Sequence, residues 1–124
     1  MKLAILVMSD PLHGGDEALG RVFNALALAA DGKRAGNEVA VVFAGAGTRW
    51  PAELSKLGHP AKALYESVRD VVAGASCGCA DVFGARAGAE ACGVPLLTDN
   101  ALAGTSGLAG LRDYTARGYT PIVF

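Results

Sequence analysis

The sequence predicts an α/β fold: a three-layer α/β/α arrangement around a mostly parallel sheet of about five strands. Three observations carry this expectation. Continuous apolar runs such as "KLAILVM" (Lys2–Met8) and "EVAVVFA" (Glu38–Ala44) suit strands buried on both faces. Segments with helical spacing separate them. Three of those segments end in a glycine, Gly36, Gly93 and Gly118, shortly before the next apolar run. Glycine takes the left-handed conformation past a helix end with little cost. Strand–helix alternation of this kind implies parallel strands with right-handed crossovers.

The elements follow in order. Lys2–Met8 is the first strand. "SDPLHGGDEALG" is a turn-rich loop into a helix that carries Leu19, Val22, Phe23 and Leu26 on one face. Asp16 and Glu17 lie in its first turn, where the helix dipole favours anions. Glu38–Ala44 is the second strand. The connection "GAGTRWPAELSKLGHP" follows, with Pro51 suited to open a short helical turn and Pro60 another helix bearing Leu64, Tyr65 and Val68. "DVVAGA" (Asp70–Ala75) is the third strand. Ala80 to Cys92 is helix-like, with Phe83, Ala87 and Ala91 spaced by four. "VPLL" is a short fourth strand. Thr105 or Ser106 can cap a last helix carrying Leu108 and Leu111, before "YTPIVF" as the final strand.

The 124 residues fit one domain, and the 52% hydrophobic content supplies a core without disulfides or metal. A net charge of −1 gives no electrostatic footprint for nucleic acid or an acidic membrane surface. No secretory signal or transmembrane-length apolar run is visible. Three cysteines, two of them nearly adjacent, make a poor disulfide framework. The expectation is a soluble protein of the reducing cytoplasm.

In an open parallel sheet, ligands bind beyond the carboxyl ends of the strands. The loops expected there are Ser9–Asp16, Gly45–Trp50 and Ser76–Cys79, with the loop around Asn100 beside them. Cys77 and Cys79 stand where a strand ends and a helix begins, a setting that favours a thiolate. Spacing alone leaves open whether they are reactive or are small residues filling a tight turn. A structural zinc site lacks a second ligand pair, so no metal is expected. A disulfide within C-x-C would be strained. Cys92, at a helix end, reads as core. "GAGTRW" has Trp50 where a dinucleotide motif needs its third glycine, and no phosphate loop or nucleophile elbow is present. His13, Arg49, Trp50 and Ser76 are the candidate substrate-binding residues. His13 suits proton transfer near neutral pH or is a solvated loop residue, Arg49 suits attraction of an anion or, more commonly, a surface salt bridge, and Trp50 a pocket wall or an oligomer contact.

The stretches "SDP…DEALGRVFNAL", "FAGAGTRWPAEL", "HPAKALYESVRDVVAG", "CADVFGARAGAEACGVPLL" and "GYTPIVF" together resemble the DsrE/DsrF-like family of small sulfur-relay proteins, across nearly the whole chain. The resemblance implies an α/β/α domain, a trimeric or hexameric homo-oligomer, and a cysteine beyond the third strand that carries sulfur as a persulfide. By position that cysteine is Cys79, directly before "ADVFGA". No cofactor is implied; the partners would be a sulfur donor and a sulfur acceptor. The chain departs from the C-x-x-C of relatives, since Ser76 holds the first site and Cys77 supplies a thiol one residue later. Two other readings remain: a module binding a small anion or a partner without catalysis, and a thiol redox protein using Cys77 and Cys79.

Overall fold

Five parallel strands form one sheet in the order β4-β3-β2-β1-β5 in a computed structural model that describes residues 1–124. The strands are β1 (Lys2–Val7), β2 (Glu38–Phe43), β3 (Val72–Ser76), β4 (Leu96–Leu97) and β5 (Thr120–Val123). The helices are α1 (Gly15–Arg34), α2 (Trp50–Leu54), α3 (Lys62–Ser67), α4 (Cys77–Val82), α5 (Arg86–Ala91) and α6 (Leu111–Ala116). The α/β class and parallel sheet are those expected from the sequence. No helix is long and apolar enough to cross a membrane.

The order of the strands explains the layers. From β1 to β4 each strand is laid beside the last, so right-handed crossovers put their helices on one face. The large core lies there. Leu3, Ile5 and Val7 of β1 and Val41 and Phe43 of β2 meet Val22, Ala25, Leu26 and Ala29 of α1, with Trp50, Leu54, Tyr65 and Ala89 beside them. The alternate residues Leu6 and Val42 point to the other face, toward Ala109 and Tyr114. That face is covered by α6 and the segment before it. The chain then returns to β1's free edge as β5, so the strand order reverses between β1 and β5.

Several sequence boundaries shift. On α1 the buried stripe is Ala18, Val22, Ala25, Leu26 and Ala29, while Phe23 is exposed. Small alanines let α1 lie close to the sheet, which leaves Phe23 outside the contact. Asp70 belongs to a 3-10 turn (Arg69–Val71), so β3 begins at Val72. The stretch expected as one helix from Ala80 to Cys92 is two helices, broken at Gly84, whose φ is +66°. The last helix begins at Leu111 rather than after Thr105 or Ser106. Leu108 lies outside it, in a bridge to Asn100. Gly36, Gly93 and Gly118 do take positive φ.

Candidate functional site

The carboxyl ends of β1, β2 and β3 bring together two clusters of side chains. The first centres on Asp10, in the loop after β1. Its carboxylate accepts hydrogen bonds from the Leu12 N–H (2.9 Å) and from Arg49 Nη1 (3.1 Å to each oxygen), and pairs with His13 Nδ1 at 2.8 Å. Partial burial pushes the Asp10 carboxyl up. The Leu12 N–H, His13 and Arg49 outweigh it and hold the group at about 2. Arg49 also donates from Nε to the Phe83 carbonyl (3.1 Å) and stacks over the Phe83 ring at 5.5 Å. It is therefore a strut between the loops after β1 and β2 and the end of α4. Its charge is met by Asp10, so it is not the free anion receptor the sequence suggested.

Trp50 is inside the core, 2% exposed, and its Nε1 donates to Ser9 Oγ at 3.2 Å. It fixes the loop after β1 and leaves no surface for a ligand, which corrects the pocket-wall expectation. Ser76 is likewise buried. Its Oγ accepts the Ala109 N–H at 3.0 Å and pins the segment before α6 to β3. His13 is exposed and close to Asp10.

Asp10 makes a testable contribution to stability. Its pKa is depressed from an unfolded value of 3.8 to about 2. Its stabilisation is present above about pH 4 and is lost as pH falls through 2, since the unfolded chain takes up the proton first. Asp10→Asn is expected to cost roughly 1–2 kcal/mol at pH 7 and to flatten acid unfolding between about pH 4 and 2. An unfolding midpoint measured at pH 7 and at pH 3 checks it. An equal loss at both values overturns the assignment.

The second cluster surrounds Cys77, the first residue of α4. Its sulfur is 3.0 Å from Arg86 Nη2 and 3.1 Å from Ser106 Oγ. Arg86 also donates to Asp81 from Nε (2.6 Å) and Nη2 (3.0 Å), and Ser106 Oγ lies 2.6 Å from Asp81 Oδ2. The hydrogen bonds from Arg86 and Ser106 hold the Asp81 carboxyl at about 2, and Asp81 in turn raises the Arg86 guanidinium further above its usual range. Cys77 is buried, while Cys79 is half-buried, and both are reduced. Residues two apart on a helix point about 200° apart, so α4 sends the two sulfurs to different sides. A bond between them requires α4 to unwind. Cys79 shares its side of α4 with Phe83, one turn on and beneath Arg49. Cys92 packs against the large core.

Arg86, Asp81 and Ser106 were not among the residues the sequence singled out. A continuous helix would set Asp81 and Arg86 about 140° apart. The break at Gly84 turns α5 back so that they pair. A glycine inside a helical pattern was the signal that could have found the Asp81–Arg86 pair.

Two concave spaces adjoin these clusters. One of about 340 Å³ lies where the strand order reverses, lined by Met8, Asp10, Glu17, Arg21, Val123 and Phe124 among others. One of about 320 Å³ lies beside the second cluster, lined by Gly78, Asp81, Val82, Gly104, Thr105 and Ser106. No three His, Cys, Asp or Glu side chains converge to hold a metal ion. Comparison with protein-family models, with curated proteins and with solved structures returned no match.

Proposed function

We propose that this chain is a sulfur carrier: a cysteine of α4 accepts sulfane sulfur as a persulfide and passes it to an acceptor thiol. One observation carries the reading. Two reduced thiols share one helical turn at the carboxyl edge of the sheet, and one of them is hydrogen-bonded to a guanidinium and a hydroxyl. Such surroundings stabilise negative charge on sulfur, and the anion is the nucleophile. The dipole of a six-residue helix adds little beside the full charge of Arg86.

The resemblance to the DsrE/DsrF-like family supports the same chemistry and points to Cys79 by its place before "ADVFGA". With it come donor and acceptor partners and a trimeric or hexameric assembly, while the three unpaired cysteines fit a reducing cytoplasmic setting. Exposed apolar side chains at Leu12, Leu57 and Val82 are compatible with contacts between copies. The dithiol redox alternative is disfavoured because α4 separates the two sulfurs.

Intact mass after incubation with a small persulfide donor tests the reading. The wild-type chain is expected to gain the mass of one sulfur, removable by a thiol reductant. A chain with both Cys77→Ser and Cys79→Ser is expected to gain none. A wild-type chain that never gains the sulfur, or a double variant that gains it equally, sinks the proposal.

A further inference from the structure

Resting on that carrier reading, we propose that Cys77, rather than Cys79, is the thiol that takes up the sulfur, and that Arg86, fixed by Asp81, is its positioning residue.

The hydrogen-bond inventory around the sulfur leads to this assignment. Arg86 Nη2 carries two protons, one directed to Asp81 Oδ2 at 3.0 Å and one to Cys77 Sγ at 3.0 Å. Ser106 has a single hydroxyl proton and two neighbours, Asp81 Oδ2 at 2.6 Å and Cys77 Sγ at 3.1 Å. While Cys77 is a thiol, its S–H donates to Ser106 Oγ and the Ser106 hydroxyl donates to Asp81. Once the sulfur is an anion, Arg86 Nη2 still donates to it while the Ser106 hydroxyl stays on Asp81. The guanidinium contact thus persists in both protonation states. Asp81 holds the guanidinium against the sulfur through two contacts, so its planar fork is already oriented. Cys79 has no such partner among the side-chain hydrogen bonds.

The cavity of about 320 Å³ lies beside the cluster, with Asp81 and Ser106 in its wall. Cys77 is buried behind Ser106, so a donor entering from that cavity must displace the Ser106 hydroxyl to reach the sulfur. Gly78 packs closely against the segment before α6, its N–H donating to the Gly107 carbonyl at 2.7 Å. A Cβ there would come within 2.8 Å of the Leu108 side chain and 3.1 Å of the Gly107 carbonyl. The burial of the sulfur limits the donor to a low-molecular-weight alkyl persulfide, R–S–SH.

In the step itself, the Cys77 thiol first loses its proton to water. The Cys77 sulfur anion attacks the outer sulfur of R–S–SH. A Cys77 S–S bond forms as the R–S–S bond breaks. The bonding pair leaves on R–S⁻, which takes up a proton. No external oxidant or reductant is consumed. The product is Cys77–S–SH, which gives its proton to water to become the persulfide anion beside Arg86.

Single-cysteine chains test the assignment with cysteine persulfide as the probe. The chain retaining only Cys77 is expected to gain one sulfur, and the chain retaining only Cys79 is not. In the Cys77-only background, Arg86→Gln should slow loading roughly tenfold. Arg86→Lys, which keeps the charge, should recover part of the rate. Unchanged thermal melting of both variants separates this from loss of fold. Loading of the Cys79-only chain alone, or an Arg86→Gln chain that matches its parent in rate, overturns the inference and leaves the carrier reading standing. A wild-type chain that takes up no sulfur removes both.

Discussion

Trp50→Ala is expected to cost about 3–5 kcal/mol, the range for deleting a large buried aromatic side chain. Trp50 is the largest fully buried side chain and packs in the main core, edge-on to His59 at 6.2 Å. Its loss leaves a cavity between α2 and the sheet and also removes the hydrogen bond to Ser9. Since small domains are stable by only about 5–15 kcal/mol, this one change removes a large share of the total. Trp50→Phe separates the two contributions. It keeps most of the packing and forfeits the Ser9 bond, so a loss nearer 1–2 kcal/mol is expected. Urea unfolding followed by circular dichroism is the measurement, because Trp50 is the only tryptophan and its fluorescence goes with it. A loss below about 1 kcal/mol in Trp50→Ala would show that the site collapses around the gap or that the side chain is not buried.

The fold was legible where burial dominates. β1 and β2 are apolar along their length because helices or the α6 segment cover both faces, and their runs show it directly. Legibility failed where a single residue redirects the chain. Phe83, Ala87 and Ala91 keep a helical spacing through Gly84, so periodicity read across a break that the backbone makes with φ +66°. The same break assembles the second cluster. Arg86 and Asp81 were therefore hidden by the element boundary, and Ser106 by its distance in sequence. Ser106 instead looked like a helix cap. Burial also reassigned the expected ligand contacts. A tryptophan and a serine beside a strand end look like pocket residues, but the sheet edge here is closed over them. Trp50 and Ser76 spend their polar atoms holding the loops in place.

The cysteine pair shows the limit differently. Sequence position favoured Cys79, because the residues after it carry the resemblance. The structure adds what position cannot supply, namely which sulfur has a charged neighbour. The two thiols lie within one turn yet differ in surroundings, because α4 turns them to different sides.

Gly47→Ala is expected to be the most damaging small substitution, at about 3 kcal/mol or more, because the added methyl group meets backbone rather than a movable side chain. A Cβ at Gly47 would overlap the Val7 carbonyl oxygen and lie 2.8 Å from its carbon and 3.1 Å from Met8 Cα. That carbonyl already accepts the Ala44 N–H at 3.0 Å, the last bond holding the ends of β1 and β2 together. Relief of the overlap must push the 3-10 turn Gly45–Arg49 away from β1. Arg49 lies two residues on, so its contacts with Asp10 and with the Phe83 carbonyl move too. The effect should thus reach beyond stability, to the corner where the first two loops meet α4. Gly20→Ala is the contrasting change. It lies in the interior of α1 with open space around its Cβ, and is expected to gain roughly 0.5–1 kcal/mol. Unfolding midpoints of the two variants under one set of conditions decide the matter. Equal effects would mean that helix propensity, not the close approach of two backbone segments, governs both glycines.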